Sequence, residues 1–132
     1  MPIYEIMEWN ENNFDCNQYE FSKNELNESN YGHLSDIARL KILYDNGGIY
    51  MDTDVEAIKS LDNFLDNDAF MSYETDEKKS INTGCFGVSK NSVLIKDFFE
   101  KYYKNAKSID DLPYAYNSWV LGDFINKNKN ML

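Results

Sequence analysis

Basic residues are scarce: 13 lysines and arginines stand against 23 aspartates and glutamates, for a formal net charge of -10. Phosphate backbones are tracked by clustered Lys and Arg, and no such cluster occurs, so nucleic acid is not an expected partner. Adsorption to anionic lipid is disfavoured for the same reason. Cysteine is nearly absent too. Cys16 and Cys85 lie far apart without metal-type spacing and read as two reduced, partly buried thiols of a cytosolic protein. No apolar run approaches the roughly 18 residues of a membrane-crossing helix. The opening "MPIYEIMEWNEN" lacks the basic region and apolar stretch of a signal peptide, so a cytoplasmic location is expected. Only two prolines occur, and there is no repeat, linker or low-complexity tract.

What is abundant is aromatic surface. Ten tyrosines and eight phenylalanines supply large side chains for burial, which excludes a disordered acidic tail. A chain of 132 residues suits a single domain, 1–132, around one core.

"IYEIMEW" (3–9) reads as a strand and "NENNFDCNQ" as a polar loop, while 18–33 carries no clear period and Gly32 suggests a break. From Ser35, an expected N-cap, the residues Ile37, Ala38, Leu40, Leu43 and Tyr44 recur at helical spacing until Gly47 and Gly48 end the pattern. "IYM" (49–51) then reads as a short strand. Further strands are expected at 69–74 and 85–89, a short helix or turn at "LDNFLDND", and helices at 92–105, capped by Ser92, and at 116–128. Alternating strands and helices give an α/β domain.

The acids of "DNGGIYMDTDVEAI" (45–58) hold the chemical interest. In an extended segment residues two apart point the same way, so Asp52 and Asp54 would share one ligand just past a strand end. Paired carboxylates there suit a hard cation, Mn²⁺ or Mg²⁺, with positions left for water or phosphate. An acidic protein handling an anion needs such compensating charge. Alone, a D-x-D also fits a solvated acidic turn. An EF-hand beginning at Asp52 would need Gly at 57 and Glu at 63 but meets Ala57 and Asn63. A haloacid-dehalogenase-type nucleophile motif would need Thr or Val where Glu56 stands. Asp36 and Arg39, one helical turn apart, share a face; as a surface ion pair they would contribute only about 0.3 kcal/mol. Arg39 is the only arginine in the acid-rich first half, and a planar guanidinium suits phosphate or carboxylate.

"SDIARLKILYDNGGIYMDTDVEAIKSLD" (35–62) resembles the D-x-D sugar-binding region of family 32-type glycosyltransferases, which include bacterial capsular and lipopolysaccharide sugar transferases and fungal mannosyltransferases. The glucosylating domains of large clostridial toxins look like more distant relatives. The resemblance runs from about residue 3 to 100, with "YEIMEWNENNFD" similar to the family's second strand and following loop. It implies a GT-A-like fold, that is, a Rossmann-like nucleotide-diphospho-sugar transferase, here truncated by one N-terminal strand–helix unit that would contribute to the base pocket. It implies metal-dependent hexose transfer from a nucleotide-diphosphate sugar to a glycan or other acceptor, with retention. By the same resemblance Asp36 and Arg39 hold donor sugar and diphosphate, and Asp52 contacts the sugar or ribose and the metal. Asp54 is then the principal metal ligand, and Asn82 and Gly84 of "INTGCFG" lie near the donor sugar. No catalytic base is named. His33, the only histidine, reads as structural, and "YNSWVLGDF" lacks the histidine of the family's closing segment. An edge left open by the missing strand implies self-association. The alternative is a non-catalytic relative that retains the fold and a residual metal or sugar-nucleotide site.

Overall fold

The glycine pair at 47–48 organises the whole domain. It ends helix α2 (Tyr31–Asn46) and launches strand β1 (Gly48–Met51) back across the helix. Gly47 has φ +68°, a conformation that side chains resist, and a Cβ there would lie 2.7 Å from the backbone nitrogen of Lys90. Its φ has the left-handed sign common at helix ends. Its ψ of 176°, however, takes the chain straight into the strand rather than into the helical left-handed basin.

The structure, a computed structural model, describes residues 4–128. Around α2 and β1 lie helix α1 (Glu20–Asn27), strands β2 (Ala69–Phe70) and β3 (Cys85–Val88), and helices α3 (Val93–Tyr102) and α4 (Asn117–Lys127). Short 3₁₀ turns occupy Asp62–Phe64 and Ile109–Asp111. The sheet order is β1-β3-β2, and both ladders are antiparallel. The class is therefore mixed α/β, with no parallel crossover pair among the described residues.

Apolar side chains of α2 (Ile37, Leu40, Leu43), β3 (Phe86, Val88), α3 (Ile95, Phe98) and α4 (Val120, Leu121, Phe124) form one buried cluster with Phe21 and Tyr103. Fully burying each such side chain stabilises by about 1.5–3 kcal/mol. Two glycines permit close approach. Phe70 lies over Gly87, where a Cβ would fall 2.3 Å from its ring, and Gly122 lets α4 touch backbone, since a Cβ there would meet the Lys79 carbonyl at 2.1 Å. The Ser118 carbonyl also accepts from Ile81 N–H at 3.0 Å, so the start of α4 is tied to the segment leading into β3.

Several expected boundaries shift. Residues 4–9 form no ladder, and Ile6 and Met7 are exposed; Ile3 lies outside the described residues. An apolar alternation without a neighbouring edge does not make a strand. The helix expected from Ser35 begins four residues earlier at Tyr31, with Gly32 in its first turn and Ser35 inside it; Asn30 is the capping position. The strand expected over 69–74 pairs regularly only at Ala69 and Phe70, then continues as an isolated Tyr73–Ile81 bridge. Strands at 48–51 and 85–88, the Ser92-capped α3 and the last helix stand close to expectation, Ser92 Oγ accepting from Ile95 N–H at 3.4 Å. Cys16 and Cys85 are free thiols.

Candidate active site

Where β1 ends, Asp52 continues the ladder by one more bond. Its N–H donates to the Gly84 carbonyl at 2.8 Å, directly beyond the Met51–Cys85 pair. Antiparallel pairing thus brings the tail of β1 and the approach to β3 to the same end of the sheet, with α2 alongside.

Arg39 joins these pieces. Only 5% exposed, the chain's one arginine reaches outward from α2 in three directions. Its Nε donates to the Ser35 carbonyl at 3.1 Å and Nη2 to Ser35 Oγ at 3.0 Å. Nη1 donates to the Thr83 carbonyl at 2.6 Å, and Nη2 lies 3.1 Å from Asp36 Oδ1 and 3.7 Å from Asp52 Oδ1. Beneath the guanidinium lies the Tyr50 ring, 4.4 Å from Cζ to centroid, a desolvated cation–π contact. Tyr50 in turn donates its hydroxyl to Asp52 Oδ1 at 2.6 Å. Burial, then the bond to Asp52, pushes the phenol well above its ordinary pKa, so it stays a donor at neutral pH.

Asp36 pays for its position with desolvation. Burial raises its pKa to about 6, opposed by Arg39 and His33 and reinforced by Asp52. His33 Nδ1 stands 4.0 Å from Asp36 Oδ2, at the margin of the cluster rather than in the core.

On the opposite side, Asn82 Oδ1 accepts from Gly84 N–H at 2.9 Å, folding the 82–84 loop onto itself. Gly84 is a space requirement: an added Cβ would lie 2.8 Å from Asp52 Oδ2 and 3.1 Å from Asn82 Oδ1. The structure therefore brings Asp36, Arg39, Asp52, Asn82 and Gly84 into one constellation. Asp54 is different. The Val55 N–H donates to the Asp52 carbonyl at 3.0 Å, closing a turn over 52–55. The expected extended geometry of the D-x-D, with both carboxylates on one strand face, is not what forms. Asp54 is exposed on the turn and its side chain makes no hydrogen bond or ion pair among the described residues.

Tyr50, Ser35 and Thr83 were not anticipated as site residues. Two of them left a signal. Strand alternation places Tyr50 and Asp52 on one side, and Ser35 precedes Arg39 by one helical turn. The Thr83 contribution is a carbonyl 44 positions away from Arg39, which no local pattern encodes.

Among the described residues, no group of three or more His, Cys, Asp or Glu side chains gathers to hold a metal. Yet Asp52 is 38% exposed at its side chain, its Oδ1 taken by Tyr50 and its Oδ2 facing the space above Gly84, and Asp54 is open to solvent. One or two carboxylates completed by water and substrate phosphate are the ordinary protein contribution to a Mg²⁺-type ion. The donor set fits such an ion as a shared site, not as a protein cage.

A buried guanidinium thus lies against Asp36 and Asp52 at the sheet end, and Asp54 stands exposed on the turn that follows. A family model described as "Glycosyltransferase sugar-binding region containing DXD motif" matches residues 1–71, more than half of the chain. The chain belongs to this family of glycosyltransferase sugar-binding regions. No curated protein and no solved structure matches it. No helix among the described residues is long and apolar enough to cross a membrane.

Proposed function

We propose that this chain supplies the donor site of a metal-dependent, retaining glycosyltransferase with a GT-A-like fold. It would transfer a hexose from a nucleotide-diphosphate sugar to a glycan or other acceptor, in bacterial surface polysaccharide synthesis. The observation that carries the reading is the immobilised Asp52: Tyr50 and Arg39 hold one carboxylate oxygen and Gly84 leaves room at the other.

In this reading Asp52 and Asp54 hold Mn²⁺ or Mg²⁺ together with the donor. The ion would neutralise charge that develops on the leaving diphosphate. Asp36 and the Asn82–Gly84 loop border the sugar. Arg39 differs from the role its family resemblance implies. Most of its N–H groups already meet protein acceptors, so it positions Asp36, Asp52 and the Thr83 loop and has little left for a phosphate. Cytoplasmic nucleotide sugars would be its donors.

A second reading is a non-catalytic relative with residual binding. It is favoured by the turn over 52–55, which leaves Asp54 exposed instead of extended alongside Asp52. Calorimetric titration of Mn²⁺ with UDP-, GDP- and ADP-sugars, followed by a donor-hydrolysis assay, separates the two. Binding that disappears in Asp54→Ala, with turnover by the parent chain, supports the transferase. Saturable binding without turnover supports the second reading, and binding indifferent to Asp54→Ala overturns both.

A further inference from the structure

A cleft lies between α2 and α3, with Tyr19 closing one side, and shares no lining residue with the Asp52 constellation. Its volume is about 160 Å³. A cavity of roughly 150 Å³ accommodates a benzene ring, so the space suits one six-membered ring. The floor is apolar: Leu40 is fully buried and Phe99 nearly so. Tyr19 meets Phe99 edge-on, with centroids 4.9 Å apart, and Tyr44 forms part of the wall.

The rim is the unusual part. In a chain of net charge -10, three of the 12 lysines (Lys41, Lys96 and Lys104) surround this one opening, against a single carboxylate, Glu100. Lys41 is partly engaged, its Nζ 2.9 Å from Asp45 Oδ1 and 5.7 Å from the Tyr44 ring centroid. Lys96 and Lys104 make no ion pair among the described residues. Flat apolar walls under a locally positive rim select for shape below and charge above.

We propose that this cleft binds a small anion built on one six-membered ring, the ring seated on Leu40, Phe99 and the tyrosines and its carboxylate or phosphate held by Lys96 and Lys104. The ring is either aromatic or a pyranose, whose C–H faces also lie flat on aromatic side chains. The proposal does not rest on the transferase reading.

The test is a ¹⁵N-correlation NMR titration of the full chain with benzoate, phenyl phosphate, glucuronate and glucose 6-phosphate. Benzyl alcohol and glucose serve as uncharged counterparts. Saturable binding on the order of millimolar or tighter is expected for at least one anion, with shifts centred on Leu40, Tyr44 and Phe99. The arm that saturates tells the aromatic from the pyranose source. Lys96→Gln combined with Lys104→Gln, both exposed positions, should weaken it about tenfold without altering the rest of the spectrum. No saturation by any anion would overturn the proposal, as would equal binding of the uncharged counterparts or an affinity unchanged in the double variant.

Discussion

Gly84→Ala tests whether Asp52 is held where a ligand needs it. The new methyl would stand 2.8 Å from Asp52 Oδ2, closer than side-chain carbons approach, so the carboxylate must swing aside. Gly84 does not have positive φ, so the alanine meets no backbone penalty and even gains about 0.4–1 kcal/mol through a less disordered unfolded chain. Against this stands the Tyr50–Asp52 hydrogen bond, worth about 1.5–3 kcal/mol for a charged acceptor. The net cost to folding is about 1–2 kcal/mol, a drop in Tm of roughly 3–8 °C. The effect on the site is far larger. A displacement of about an ångström commonly costs on the order of a hundredfold in function. Calorimetry should therefore show Mn²⁺-dependent sugar-nucleotide affinity falling at least about tenfold in a variant that still melts cooperatively. A Gly84→Ala protein with undiminished affinity would refute the claim that the orientation of Asp52 matters.

Three other outcomes are expected. Tyr50→Phe keeps the ring beneath Arg39 but deletes the donor to Asp52, lowering stability by about 1.5–3 kcal/mol in urea titration. For Asp36 the folded pKa of about 6 exceeds the ordinary 3.8, so the folded state binds the proton more tightly; its contribution to stability grows as pH falls from about 6 to about 4, by up to about 3 kcal/mol. Urea midpoints at pH 7 and pH 4.5 should show this gain in the parent chain relative to Asp36→Asn, and parallel shifts in both would contradict it. Finally, β1 pairs only with β3 among the described residues, so light scattering should show a mass that rises with concentration; a constant monomer mass would argue against edge-to-edge association.

The helix, glycine pair and strand of residues 35–51 were legible because their burial follows period 3.6 and then an apolar run, each bounded by glycine. Helix α1 was not. It is only eight residues long with two apolar side chains, Phe21 and Leu26, and Ser22 and Glu25 are buried beside Phe21, so too few apolar positions recur to mark a helix. The strand read at 3–9 failed for the opposite reason, since its alternation met no neighbouring edge among residues 4–9. At the site, local spacing indicated that Asp36 and Arg39 share a face and that acids follow a strand. Asp-Thr-Asp departs from the expected extension because turn-forming residues close a turn there. The full engagement of Arg39 depends on the loop at Thr83, distant in sequence, and so was invisible to any window.

That dependence separates the recognisable unit from the one able to fold. Residues 1–71 contain Asp36, Arg39, Asp52 and Asp54, yet the guanidinium needs the Thr83 carbonyl, Asp52 needs the Gly84 carbonyl, and β1 needs β3. Cut at that boundary, the stretch bearing the family signature would keep its charges and lose the scaffold that makes them a site.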